Sequence, residues 1–171
     1  MVQVKKGIRG GRPRRKVSES RSTMAMVMMQ QDANHMGNVF GGTIMKLVDL
    51  ISYVAASRHC RTNTVTASID KISFLSPVHV GDLLTLKANV NAAWNTSMEV
   101  RVRVEAEEMK TGEVRHTGSC YVTMVALGPD GKPTTIPELI LETEEDHRRF
   151  RQANRRRARR LEEAALERRG H

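Results

Sequence analysis

The chain lacks much of what other classes of protein are built on. Its 171 residues include only two cysteines, Cys60 and Cys120, in no CxxC arrangement. That argues for a reducing compartment and against a disulfide framework or a zinc site, so no metal is expected. Aromatic residues make up 4% of the sequence, too few for the stacking platforms that hold nucleic acid. No stretch approaches the ~18 consecutive apolar residues of a membrane span, which argues against a membrane partner. The basic N-terminus is followed by no apolar core, unlike a secretory signal, and Gly7, Gly10, Gly11 and Pro13 weaken any transit-peptide helix. A cytoplasmic location is expected. The G-x-S-x-G elbow of serine hydrolases is missing too.

The net charge of +9 suggests nucleic acid until it is divided along the chain. Residues 1–23 carry +7, residues 24–137 are neutral and residues 138–171 carry +2. A neutral central domain with basic appendages is the simplest reading. Residues 1–21 are expected to be a disordered basic arm, 22–137 the folded domain, and 138–171 a charged tail. In that tail acids precede arginines, an order that suits a helix dipole and allows Glu144–Arg148 and Glu145–Arg149 pairs. The spacing predicts a solvent-exposed helix, marginal on its own.

Within the central domain, Ser22–Met29 reads as a short strand and 30–38 as a polar loop. A long helix follows from about Gly41 to His59. Ile44, Leu47, Val48, Ile51, Val54 and Ala55 recur at i, i+3, i+4 and form one apolar face. Asp49 is expected on a neighbouring small face with Met45, Ser52 and Ala56. Four strand-like segments come next, over 64–74, 83–94, 98–109 and 114–127. The third alternates Val100, Val102 and Val104 with Arg101, Arg103 and Glu105, so one of its faces is expected to be wet. Short turns between them favour an antiparallel sheet, and with one long helix the class is α+β.

The helix carries a single carboxylate among apolar neighbours. An ionised Asp is rarely buried without a partner or a task. Asp49 is therefore either paired with Lys46, three residues back, or a chemical group. The sequence alone leaves both open.

Asn38-Val39-Phe40-Gly41-Gly42, Met45-Lys46-Leu47-Val48-Asp49, Ser73-Phe74-Leu75-Ser76-Pro77-Val78 with Val80-Gly81-Asp82, and Asn95-Thr96-Ser97-Met98-Glu99-Val100 together resemble one family. It is the hotdog superfamily, and within it acyl-CoA thioesterases of the cytosolic acyl-CoA hydrolase type. The likeness covers residues 22–137 and neither tail. It implies a central helix wrapped by a curved antiparallel sheet, and a homodimer whose sheets join edge to edge, commonly as a trimer of dimers. It implies hydrolysis of acyl-CoA to a carboxylic acid and CoA, with no cofactor beyond the coenzyme A of the substrate.

The resemblance assigns the catalytic pair to Asn38 and Asp49, facing each other across the dimer seam. Asp49 is expected as general base or as nucleophile. Asn38 is expected to hold the water or the thioester carbonyl, against the plainer role of a helix cap. Backbone N–H groups at Gly41 and Gly42 are expected to stabilise the oxyanion, helped by the positive end of the helix. Thr96 and Ser97 are expected to meet the CoA portion, although a strand-entry turn explains them as well. His35 or His59 beside an acid would suit a hotdog dehydratase, but His59 lies ten residues beyond Asp49, at the other end of the helix. The remaining alternative is a non-catalytic protein that senses acyl-CoA or binds nucleic acid through its arginines.

Overall fold

One twenty-residue helix, Gly41–Cys60, sets the architecture. The computed structural model describes residues 11–70 and 72–169. In chain order the elements are β1 (Arg14–Lys16), α1 (Val17–Ser20), β2 (Ser22–Val27), a 3-10 turn (Gln30–Asp32), α2 (Gly41–Cys60), β3 (Asn63–Ile69), β4 (Leu83–Ala93), β5 (Ser97–Glu107), β6 (Val114–Leu127), β7 (Glu138–Ile140) and α3 (Glu144–Arg169). Five strands form an antiparallel sheet in the order β2-β4-β5-β6-β3, wrapped around α2. This is the hotdog fold.

The alternation along the strands explains the wrapping. Leu84, Leu86, Ala88 and Val90 of β4, Val100, Val102 and Val104 of β5, and Cys120, Val122 and Met124 of β6 are all buried. They meet Ile44, Leu47, Val48, Ile51 and Ala55 of α2 in one core. A fully buried side chain of this size contributes roughly 1.5–3 kcal/mol. Ala55 and Ala56 have no exposed surface, so the sheet approaches closely at that turn. The helix ends where Arg61 takes a left-handed conformation (φ 59°) and returns its N–H to the Ser57 carbonyl. No described helix is long and apolar enough to cross a membrane.

Several expectations change. Ser52 and Ala56 belong to the buried face of α2, while Asp49 lies exposed with Lys46, Leu50 and Tyr53. Ser52 tolerates burial because its hydroxyl donates to the Val48 carbonyl. The strand expected over 64–74 stops at Ile69; residues 72–75 run beside β6 as irregular chain, crossing so near Gly118 that a Cβ there would lie 3.1 Å from the Ser73 carbonyl oxygen.

Both tails are more ordered than their composition suggests. Of the arm expected to be disordered over 1–21, residues 1–10 lie outside the described residues. From Arg14 on, it forms β1, parallel to β7, and then α1. Val17 is buried, and Ser20 accepts a hydrogen bond from the Val90 N–H of β4. The C-terminal helix is docked rather than free. Ala153 is fully buried, Trp94 Nε1 donates to Asn154, and Arg156 holds the buried Glu99 at 2.6 Å. The outer face of β5 is therefore dry where α3 crosses it.

Candidate active site

The exposed side of α2 and the unpaired edge of the sheet meet along one seam. β3 bonds to β6 on one side only. Beside it lie Leu50 and Tyr53 of α2, Val65 of β3, and Phe74 and Leu75 of the following loop, each more than two-fifths exposed. Large side chains grouped this way mark an interaction surface.

Asp49 sits in this seam. Its Oδ1 accepts a hydrogen bond of 2.5 Å from Thr66 Oγ1 on β3, just before the bulge between Thr66 and Ser68. Thr66 Oγ1 also lies 3.4 Å from Met124 Sδ. The pairing with Lys46 does not form: no ion pair joins Asp49 to a cation among the described residues, although Lys46 lines the same cavity. That cavity, about 430 Å³, is bounded by Lys46, Asp49, Leu50, Tyr53, Val65, Thr66 and their neighbours. Within one protomer Asp49 is exposed, so the expectation of a buried carboxylate is not met by a single chain.

Asn38 occupies a different place. It lines a small cavity of about 190 Å³ with Gly41, Phe74 and Pro77. The cap of α2 is Phe40, which offers no side-chain hydrogen bond, so Asn38 is not the cap. Its backbone N–H donates to Asn34 Oδ1 at 3.2 Å, and that same oxygen accepts from the Met36 N–H at 2.9 Å. Asn34 thereby closes the tight turn in which Gly37 has positive φ. Its amide nitrogen has no partner among the described residues.

The two glycines differ. A Cβ on Gly41 would lie 3.3 Å from the Phe74 ring, so its lack of a side chain seats that aromatic; Gly42 faces open space. The helix mouth has no side-chain cap and no acid in its first turn, which leaves its N–H groups and positive dipole end uncompensated. From Gly41 to Asp49 is eight residues of helix, about 12 Å. One chain cannot bring its helix mouth and its Asp49 to the same reacting carbon.

The other expected residues lie elsewhere. Thr96 is in the β4–β5 turn, where its carbonyl accepts from the Ala126 N–H. Ser97 lines a small cavity under α3 with Trp94, Arg157 and Arg160. His59 is buried, bonded through Nε2 to the Pro137 carbonyl at 3.0 Å, and burial lowers its pKa, so it is a neutral structural group. Cys120 is inert, its thiol pushed up to about 12 by burial.

Residues 36–113 match the family model described as the thioesterase superfamily. The chain is 42% identical to Protein VdlD of Helicobacter pylori over 127 residues, covering 74% of this chain and 72% of that one. A hexameric acyl-CoA thioesterase superposes with a TM-score of 0.86 at 38% identity, over 90% of this chain and 99% of the other. The acyl-CoA hydrolase of Staphylococcus aureus, solved with butyryl-CoA and CoA, superposes with a TM-score of 0.81 at 32% identity, over 93% and 100% of the two chains. Structures of that hydrolase with an asparagine, an aspartate or a threonine changed to alanine superpose as well.

Proposed function

The chain belongs to the hotdog-fold acyl-CoA thioesterases, and we propose that it hydrolyses acyl-CoA at a site shared between two copies, with Asp49 and Thr66 from one and the Asn34 loop and α2 mouth from the other. The observation that carries this reading is the Thr66–Asp49 hydrogen bond, set in an apolar seam beside an unpaired strand. Joining β3 to β3 across a two-fold axis would satisfy that edge and cover Leu50, Tyr53 and Val65. It would also bring Asp49 in from solvent, and it answers the 12 Å problem, about eight residues of helix, by drawing the two halves from different chains.

Spacing supports one amide over the other. In the Staphylococcus aureus hydrolase the substituted asparagine and aspartate are 15 residues apart, and the aspartate and threonine 17 apart. Asn34, Asp49 and Thr66 repeat both intervals with the same residue types. Asn34 therefore replaces Asn38 as the proposed amide, with its free Nδ2–H toward the thioester oxygen or the water. Asn38 becomes a neighbour that holds the Asn34 turn.

In the reaction Asp49 takes a proton from water as the new C–O bond forms, and the carbonyl oxygen becomes an oxyanion. N–H groups at Gly41 and Gly42 meet that charge; a single donor of this kind is worth roughly 3–4 kcal/mol. As the C–S bond breaks, the proton passes from Asp49 to the departing CoA sulfur. In the nucleophilic variant the carboxylate attacks the thioester carbon first, CoA leaves as the C–S bond breaks, and water then cleaves the acyl group from Asp49, supplying the proton that CoA takes up. Mass measurement of enzyme quenched during turnover separates the two routes.

The assembly proposed is a homodimer, and three dimers in a hexamer, supported by the hexameric relative of the same fold. Thiol release from acyl-CoAs tests the activity. Asp49→Ala is expected to slow turnover by at least ~10²-fold with the fold intact. Asn34→Ala is expected to reduce kcat strongly and Asn38→Ala only modestly; the opposite order would return the amide role to Asn38.

A further inference from the structure

Two cavities lie end to end along the α2–β3 seam, and among the described residues Tyr53 alone lines both. The first is the 430 Å³ space that contains Asp49. The second, about 420 Å³, is bounded by Tyr53, Ser57, Arg61, Asn63 and Leu127, with Thr62 and the turn after β6. We propose that Tyr53 is the stop that sets acyl-chain length, and that this enzyme selects short-chain acyl-CoAs. The inference rests on the reading that Asp49 marks the reacting carbon.

Asp49 and Tyr53 are four residues apart on α2, so their side chains stand one above the other on the same face. The rise between them is about 6 Å. An acyl chain that starts at the carbon beside Asp49 and runs toward the C-terminal end of α2 meets the phenol ring after one helical turn. Up to that point its walls include Leu50, Val65 and Met124, which suit methylene groups, with Lys46, Thr64 and Thr66 at the Asp49 side and the rim. Beyond the ring the walls change character. Ser57, Arg61, Thr62 and Asn63 line the second cavity, and a longer chain there would strip water from a guanidinium without offering it a partner. Ring and polar wall act in the same direction.

Tyr53 is 43% exposed in the protomer. It is not held in the core that Ile44, Val48 and Ile51 build, so replacing it leaves the protomer's packing in place. Within the protomer it stands between two cavities and faces neither the sheet interior nor α3.

The test compares kcat/KM for acetyl-, butyryl-, octanoyl- and palmitoyl-CoA in the full-length protein and in Tyr53→Ala and Tyr53→Phe. Wild type is expected to favour butyryl- over palmitoyl-CoA by about tenfold or more, since one misplaced methylene already carries about that factor. Tyr53→Ala joins the two cavities and is expected to raise the palmitoyl-to-butyryl ratio about tenfold or more. Tyr53→Phe keeps the ring and is expected to keep the wild-type ratio. A wild-type preference for palmitoyl-CoA, or an unchanged ratio in Tyr53→Ala while hydrolysis persists, overturns this inference and leaves the thioesterase reading standing. Hydrolysis at no chain length overturns both.

Discussion

Thr66 occupies one oxygen of Asp49, which fixes the carboxylate's rotation and, in the proposed mechanism, leaves the other oxygen for water or carbonyl carbon. Thr66→Val keeps the shape and removes the donor, so kcat is expected to fall about tenfold with KM little changed, and Thr66→Ser to restore most of it. Full activity in the valine variant with a loss in the serine variant would assign Thr66 to packing alone. His59 leads to a prediction about pH. Burial holds its folded pKa below the ordinary 6.5, so the unfolded chain binds more protons there. Its contribution is therefore complete above about pH 6.5 and is lost as pH falls toward the folded value. Melting temperature is expected to drop between pH 7.5 and 5.5, and to drop less in His59→Gln, in differential scanning fluorimetry. Asp49 and the glycine pair were legible in the sequence because a lone carboxylate on an apolar helix is conspicuous. Asn34 and Thr66 were not. A threonine in a β-branched run looks like strand propensity, and an asparagine in Gln31-Asp32-Ala33-Asn34 looks like ordinary loop. Thr66 acquires meaning from its contact with Asp49, 17 residues back, and Asn34 from the turn it closes with Met36 and Asn38.

At the level of elements, α3 is tied down by charge as well as by the buried Ala153. Glu99 has no exposed surface, and Arg156 binds both of its oxygens while Arg160 reaches it and Asp70. Arg156 also lies over the Tyr121 ring at 3.5 Å, and Arg157 over Trp94 at 4.6 Å. Removing one partner of a buried pair strands the other, at a cost of about 3 kcal/mol. Arg156→Ala is expected to lower stability by that order in urea unfolding, with α3 more open to proteolysis. Adding Glu99→Met to Arg156→Met should recover much of the loss, because an apolar pair no longer buries a charge. A double variant as weak as the single one would mean that the helix depends on the ion pair itself. The helix's own start is built locally: Asp146 accepts from the Glu142 and Thr143 N–H groups, and the Asp146 N–H donates to the Thr143 hydroxyl oxygen. The main strands and α2 could be read from their periods of 2 and 3.6. β1, α1 and β7, of three or four residues each, were hidden because segments so short carry no period. The docking of α3 was hidden because arginines directed at a buried glutamate look the same in sequence as arginines directed at water.

For the whole molecule, the proposed shared site has each chain contribute one half to each of two sites. The arginines of α3 do not compete with this reading, since Arg148, Arg149, Arg156, Arg159 and Arg160 all pair with acids within the chain. A charged residue placed on the free edge tests the seam directly: Val65→Asp is expected to shift the protein to monomers in sedimentation and to abolish hydrolysis together with assembly. Persistence of full activity in a monomer would refute a shared site. The sharper measurement uses two dead enzymes. Asn34→Ala lacks the amide and Asp49→Ala lacks the carboxylate, so homodimers of either hydrolyse poorly. In a mixed dimer, one seam site draws Asn34 from the Asp49→Ala chain and Asp49 from the Asn34→Ala chain, and is therefore intact; the other carries both lesions. Random reassortment makes half the dimers mixed, and half the sites in those are whole, so co-refolded subunits should regain about a quarter of wild-type activity. Were both groups contributed by one chain, every site in every dimer would carry a lesion and mixing would restore nothing. The amount regained thus reports where the site lies, independently of how fast it turns over.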